Sequence, residues 1–164
     1  MAAMDPLDSP ARDHMTRVLS ALSPNTSVAA ARQLLAEQHL SGAPVVDEQG
    51  RLLGVVTLQD LHRTPADLTP GVARYHVIHE GESLTEAAIP GAAAGGGRVE
   101  GVMTRDVLTL PMDALLREAV RVMVTREVHR LLVVEGDRLV GLLSTMDILR
   151  ALVPDRPASL DQGF

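Results

Sequence analysis

Aromatic side chains are nearly absent from this chain: its 164 residues include one Tyr, one Phe and no Trp. Without aromatic platforms the usual stacking surface for nucleic-acid bases is missing, and the core must be built from Ala, Val, Leu, Ile and Met. Cysteine is absent altogether, which excludes disulfides, thiolate metal sites and cysteine nucleophiles and agrees with a reducing compartment. Basic runs are lacking too. With a formal net charge of -6, neither nucleic acid nor an anionic membrane is an expected partner. No apolar run approaches the roughly 18 residues that would span a bilayer. Residues 1–13 show neither the basic nor the apolar region of a signal peptide, so a cytoplasmic location is expected. What remains is 46% hydrophobic and 22% charged, ordinary for a globular protein. The length suits one compact domain or two small ones sharing a core.

The strongest positive signal is an internal repeat. His14-Met15-Thr16-Arg17 is matched by Val102-Met103-Thr104-Arg105, and Ala43-Pro44-Val45-Val46-Asp47 by Leu131-Leu132-Val133-Val134-Glu135. The stretch from Arg51 to Leu61 is matched from Arg138 to Ile148. The offset is 88 from Met15 to Met103 and 87 from Asp60 to Asp147. The lost residue falls where Glu48-Gln49-Gly50 becomes Gly136-Asp137, a change that a hairpin turn tolerates.

Each repeat predicts a strand (18–22; 107–110), a helix (26–39; 113–127), two strands (43–47 with 52–56; 131–135 with 139–143) and a helix opening at Thr57 or Ser144. Asn25 or Thr26 and Asp113 are the expected N-caps of the longer helices, and Gly42 is expected to punctuate the end of the first. The strands are apolar throughout rather than alternating, so both faces should be covered. One β-α-β-β-α unit cannot bury its sheet alone, whereas two facing units can. The expected fold class is α/β (α+β): two tandem β-α-β-β-α repeats packed sheet to sheet with pseudo-twofold symmetry. The expected divisions are a disordered N-terminus (1–12), a first domain (13–63), a linker or insertion (64–98), a second domain (99–153) and a frayed tail (154–164). The linker holds Pro65, Pro70 and Pro90 and the low-complexity run 92–97, and residues 75–78 are its one candidate extended piece.

Ser41-Gly42-Ala43-Pro44-Val45-Val46-Asp47, Gly54-Val55-Val56-Thr57-Leu58-Gln59-Asp60-Leu61 and Gly141-Leu142-Leu143-Ser144-Thr145-Met146-Asp147-Ile148-Leu149 together resemble the CBS domain family. Val128-His129-Arg130-Leu131, followed by Gly-x-x-Ser-x-x-Asp, is also similar to the nucleotide-sensing subunit of AMP-activated protein kinase. The resemblance covers residues 13–63 and 99–153 and is specific as a doubled pattern. It implies a paired module of two domains, often associated further into a four-domain disc. It further implies clefts that bind AMP, ADP, ATP or S-adenosylmethionine, and control of a partner enzyme, channel or transporter, without catalysis and with no required cofactor.

Several residues could carry such binding. Thr57-x-x-Asp60 and Ser144-x-x-Asp147 each follow an apolar strand and open a helix. A carboxylate there can accept hydrogen bonds from two ribose hydroxyls, and the hydroxyl with the first-turn amides can hold a phosphate. The same tetrapeptide is also close to a helix capping box. His129 and Arg130 could serve a phosphate, as matching residues do in the resembling kinase subunit, or Arg130 could simply complement a helix C-terminus. The first repeat has Ser41 and Gly42 at that place, so the two clefts should differ and the second repeat should dominate. Ala43, Pro44, Leu131 and Leu132 begin the middle strands, where the resemblance puts an adenine edge. Thr16 and Thr104 would close the other side. His76-x-x-His79-Glu80 lacks a third ligand in a fixed frame and predicts no metal site.

The leading expectation is a ligand-sensing module that acts on a partner in trans. Its alternative is a structural dimerisation module with empty clefts, and an enzyme is a distant third. The helix over 113–127 is apolar at Leu115, Leu116, Ala119, Val120, Val122, Met123 and Val124, and the one after Ser144 at Met146, Ile148, Leu149, Ala151, Leu152 and Val153. Those stripes exceed what one sheet can cover, and a twofold homodimer is the expected consequence.

Overall fold

The computed structural model describes residues 5–17, 19–62, 73–78, 84–89 and 97–153, with strands 73–78 and 84–89 described by their backbone. The first repeat supplies β1 (Leu19–Leu22), α1 (Val28–Glu37), β2 (Gly42–Val46), β3 (Leu52–Thr57) and α2 (Leu58–His62). Strands β4 (Ala73–Ile78) and β5 (Leu84–Ile89) follow, then the single turn α3 (Val99–Val102). The second repeat gives β6 (Thr109–Pro111), α4 (Leu116–Arg126), β7 (Arg130–Glu135), β8 (Arg138–Ser144) and α5 (Thr145–Leu152).

The expected β-α-β-β-α order is present twice, with shifted caps. Helix α1 starts after Ser27, whose hydroxyl accepts from Ala30 N–H at 3.2 Å, not after Asn25 or Thr26. Helix α4 starts after Leu115, whose N–H donates to the Glu118 carboxylate at 2.9 Å. Asp113 lies two residues before that cap and pairs instead with Arg12. Both helices stop at a left-handed residue, His39 and Glu127, each with φ of 53°. The chain turns there through Leu40 N–H to Leu35 O (2.8 Å) and Val128 N–H to Met123 O (3.0 Å). Such bonds close a helix without glycine at the cost of a strained φ, and Gly42 falls beyond, inside β2.

Two sheets form, ordered β3-β2-β1-β4-β5 and β6-β7-β8. In each repeat the first strand runs parallel to the second, and the next pair forms an antiparallel hairpin. Ala21, Val46, Leu132 and Leu139 form a buried layer with Val55, Val107 and Leu142 packed against it, drawn from strands of both repeats. The outer faces carry α1 and α2 over the first sheet and α4 and α5 over the second. This covering of both faces is why the strands are continuously apolar.

The opening segments of the repeats are exchanged. Thr16 and Leu142 donate to each other's carbonyls at 2.8 and 2.9 Å, and Thr104 and Val55 do the same. Met103 and Val99, which begin the second repeat, are buried in the first repeat's core, while Ala11 is buried in the second's, with Met15 packed against it. Residues 5–12 are therefore not part of a disordered N-terminus, the state expected from sequence for residues 1–12. Residues 5–13 form two 3-10 turns (Pro6–Asp8 and Ala11–Asp13), with Leu7 against the second core and Asp8 paired with Arg117. Ala11 occupies in the first repeat the place of Val99 in the second, and both are fully buried.

The segment 64–98 is more than a connection. Its strands β4 and β5 make an antiparallel hairpin, and β4 pairs with β1 from Leu19↔Ile78 to Leu22↔Tyr75. The hairpin covers the edge of β1, whereas the matching edge of β6 ends its sheet. His76 is thereby set in β4 opposite Ala21. His79, Glu80, the run 92–96 and the tail 154–164 lie outside the described residues.

Candidate functional site

The strands that face each other between the sheets leave a cleft of about 450 Å³. Registers Gly42↔Thr57 and Pro44↔Val55 put these four residues on one face of the first sheet, and all four line the cleft. Arg130 and Leu132, with Leu142 from β8, line it from the second sheet, and Thr104, Asp106, Val107 and Leu108 close one side. Ala43 adds backbone here while its side chain is buried under the helices.

Of the residues singled out from sequence, Ala43, Pro44, Thr57, Thr104, Arg130 and Leu132 are thus brought together. Asp60 adjoins them through Thr57: its Oδ2 accepts from Thr57 N–H at 2.9 Å and from Thr57 Oγ1 at 2.6 Å, and its own N–H points back to Thr57 Oγ1 at 3.3 Å. Ser144 and Asp147 reproduce this at 2.8, 2.6 and 3.2 Å. Both tetrapeptides are therefore closed capping boxes, which satisfy first-turn donors that the helix itself leaves open. They differ in the second carboxylate oxygen. Asp147 Oδ1 accepts from Arg150 at 3.0 Å, whereas Asp60 Oδ1 has no partner among the described residues. Helix α2 is a single short turn, so its dipole adds little to anion binding.

Thr16, His129, Leu131, Ser144 and Asp147 stand outside this cleft. Under the repeat offset they occupy the places of Thr104, Ser41, Ala43, Thr57 and Asp60. His129 is exposed, and its carbonyl accepts from Thr145 N–H at 3.0 Å, as that of Ser41 does from Leu58 N–H. Arg130 corrects the expected division of labour. Its backbone lies opposite Ser144, yet it lines the cleft that holds Thr57. The guanidinium that sequence assigned to the second repeat's motif therefore stands with the first's, and it has no carboxylate partner among the described residues. Nor does it lie along a helix end, being the first residue of β7.

Asp106, Val107 and Leu108 were not anticipated. The doubled Met-Thr-Arg motif ends at Arg105, one residue short of them, and at the next position the repeats diverge to Val18 and Asp106. That divergence was the available signal.

The CBS domain model matches residues 11–67 and 99–154. The chain belongs to the CBS domain family. Its two repeats make a tandem CBS pair. Chloroplastic CBSX2 of Arabidopsis thaliana, a CBS domain-containing protein, is 30% identical over 145 residues, covering 81% of this chain and 58% of that protein. The chain spans 35% and 45% of two further curated relatives from Methanocaldococcus jannaschii and 22% of an inosine-5'-monophosphate dehydrogenase from Thermoplasma acidophilum. Among solved structures, CBSX2 in complex with AMP superposes with a TM-score of 0.61 at 24% identity, covering 87% of this chain and 95% of that one. The CBS pair of protein MJ0100, in complex with 5'-methylthioadenosine and S-adenosyl-L-methionine, gives 0.58 at 22%, covering 87% and 94%. At these identities the superpositions establish the shared fold. Among the described residues no helix is long and apolar enough to cross a membrane.

Proposed function

We propose that the chain is a sensor of adenosine compounds (AMP, ADP, ATP or S-adenosylmethionine) that binds its ligand in the cleft between the CBS repeats and controls a partner protein. The observation that carries this is the cleft itself: Pro44 and Thr57 from one sheet face Arg130 from the other across apolar walls, and Arg130 has no ion pair among the described residues. An apolar hollow with a few convergent polar groups is the usual form of a small-molecule site. The backbone at Ala43 and Pro44 offers carbonyl acceptors, and Ala43 an N–H donor, for an adenine edge. Asp60 Oδ1 can accept from ribose, and Arg130 presents a planar fork to a phosphate or carboxylate. The second, offset-related set of Thr16, His129, Leu131, Ser144 and Asp147 would serve a further cleft of the same design. The complexes of CBSX2 with AMP and of the MJ0100 pair with adenosyl compounds support this class of ligand.

A ligand touching both sheets favours one relative disposition of the repeats, and a partner that reads that disposition is controlled by population shift. Calorimetry with AMP and adenosine tests the assignment. Arg130→Ala should weaken AMP by about tenfold to a hundredfold, the worth of a hydrogen bond to a charged group, and leave adenosine nearly unchanged. Equal losses would remove Arg130 from the phosphate role. Absence of any thermal stabilisation by adenosine compounds would instead favour a structural dimerisation module with empty clefts.

A homodimer belongs to the same proposal. Apolar surface left over by the monomer is concentrated on α5 and the end of α4, where Val124, Met146, Leu149, Leu152 and Val153 are exposed. A second copy related by a twofold axis would cover it.

A further inference from the structure

We propose that Asp106 biases the ligand class of the cleft toward adenosine compounds that carry no more than one phosphate. The inference rests on the assignment of the cleft as an adenosine site and deepens it. Among the described residues two charged side chains line the cleft, Arg130 and Asp106; every other described lining residue is apolar, a glycine, or a serine or threonine. Both are exposed, and neither makes an ion pair or side-chain hydrogen bond among the described residues, with each other or with anything else. Asp60, one residue group away through Thr57, adds a second carboxylate. The cleft with its border thus carries one positive and two negative charges.

The chain offers no easy compensation. It contains no lysine, so all 15 of its Lys and Arg side chains are arginines, and among the described residues Arg130 is the one that lines this cleft. A guanidinium presents one planar fork, matched to one phosphate or carboxylate group. A first phosphate is therefore neutralised by Arg130. Each further phosphate brings negative charge into a cleft whose remaining charged lining group is a carboxylate. Two unit charges ~8 Å apart at an effective dielectric of ~20–80 change affinity roughly 2- to 30-fold. A ligand with a positive group, such as the sulfonium and ammonium of S-adenosylmethionine, gains from Asp106 instead, while its carboxylate takes the fork.

The matching position of the first repeat is Val18, so this charge belongs to one cleft of the pair.

Calorimetry of the full chain with AMP, ADP, ATP and S-adenosylmethionine, repeated for Asp106→Asn, tests this. The wild-type affinity should fall from AMP to ATP by roughly 2- to 30-fold. Asp106→Asn should shrink that ratio, leave AMP less affected and weaken S-adenosylmethionine. The exposed position predicts an unchanged melting temperature without ligand; if Asp106→Asn fails to fold, Asp106→Ser replaces it. Equal or tighter binding of ATP by the wild type, or an AMP-to-ATP ratio unchanged in the variant, overturns the proposal while leaving the adenosine site standing. No binding of any of the four compounds overturns both.

Discussion

At the scale of single residues, the chain uses short polar side chains to finish backbone that the sheets and helices leave open. Asp47 is the fullest case. Its Oδ1 accepts from the N–H groups of Gln49 and Arg51, both at 2.9 Å, and its Oδ2 accepts from Arg51 Nε at 2.7 Å. Burial alone would raise the Asp47 pKa, but the hydrogen bonds from the Arg51 backbone and side chain and from Gln49 outweigh it, so the carboxyl sits below its ordinary value. Arg51 is raised in turn, first by its hydrogen bond to Asp47. A carboxyl depressed on folding contributes stability above its unfolded pKa of about 4 and loses it as pH falls through the folded value. Asp47→Asn should therefore lower stability at pH 7 by up to about 1 kcal/mol, since the Arg51 partner is solvent-screened. The deficit should shrink as the pH is lowered from 7 to 2. Urea denaturation at both pH values measures this, and an equal deficit at each would assign the effect to turn geometry rather than charge.

At the scale of elements, the exchanged opening segments explain two glycines that periodicity leaves unaccounted for. A Cβ on Gly54 would lie 2.6 Å from the Thr104 carbonyl oxygen and 3.1 Å from Met103 Sδ. On Gly141 it would lie 2.6 Å from Met15 Sδ and 3.0 Å from the Thr16 carbonyl oxygen. Both glycines let a backbone strand cross close to the sheet, a standard use of the missing Cβ. The costs should differ. At Gly54 the closest atom is backbone fixed by two mutual hydrogen bonds with Val55; at Gly141 it is the end of a flexible methionine. Gly54→Ala should destabilise by about 1–3 kcal/mol or more, the range for forced overpacking, and Gly141→Ala by less. Chemical denaturation gives the order directly, and a reversed order would mean that the Met15 side chain is the harder obstacle.

At the scale of the whole molecule, the question is which apolar surface is spare. From sequence the helix over 113–127 and the helix after Ser144 are both over-supplied. In the fold, Leu116, Ala119 and Met123 are buried against the second sheet, and Val124 is the large apolar residue that α4 leaves in water, at 72% exposure. The N-terminal turn 6–8 packs against both α4 and α5, with Leu7 on their core. The residual patch is therefore mostly α5. Light scattering at tens of micromolar should give a dimeric mass, and Leu149→Glu or Val124→Glu should reduce it to a monomer with a native melting transition. Charge at Leu116 or Met123 is no test of the dimer, because burying an unpaired carboxylate in the core unfolds the monomer. A monomeric wild type would remove the dimer from the proposal.

The doubled order of strands and helices, the covered sheets and the family were all legible in the sequence. They follow from local chemistry repeated twice: apolar runs of strand length, a hydroxyl and an acid opening the second helix of each repeat, and a turn between the paired strands. Elements whose partners lie close in sequence are decided by such local rules. Three features were decided only by the tertiary structure. The opening of each repeat is buried in the other repeat, so Pro6 to Asp13 looks like a polar tail until the second core is there to receive Ala11. The β4–β5 hairpin forms against the edge of β1, and an edge is a property of the sheet rather than of residues 73–89. Arg130 and Thr57 are 73 positions apart and meet because strands from different repeats face each other, which brings Asp106 in beside them. The repeat offset could match Arg130 with Gly42 but could not say which cleft the side chain lines, because that depends on how two sheets pack across a space that neither repeat encloses alone.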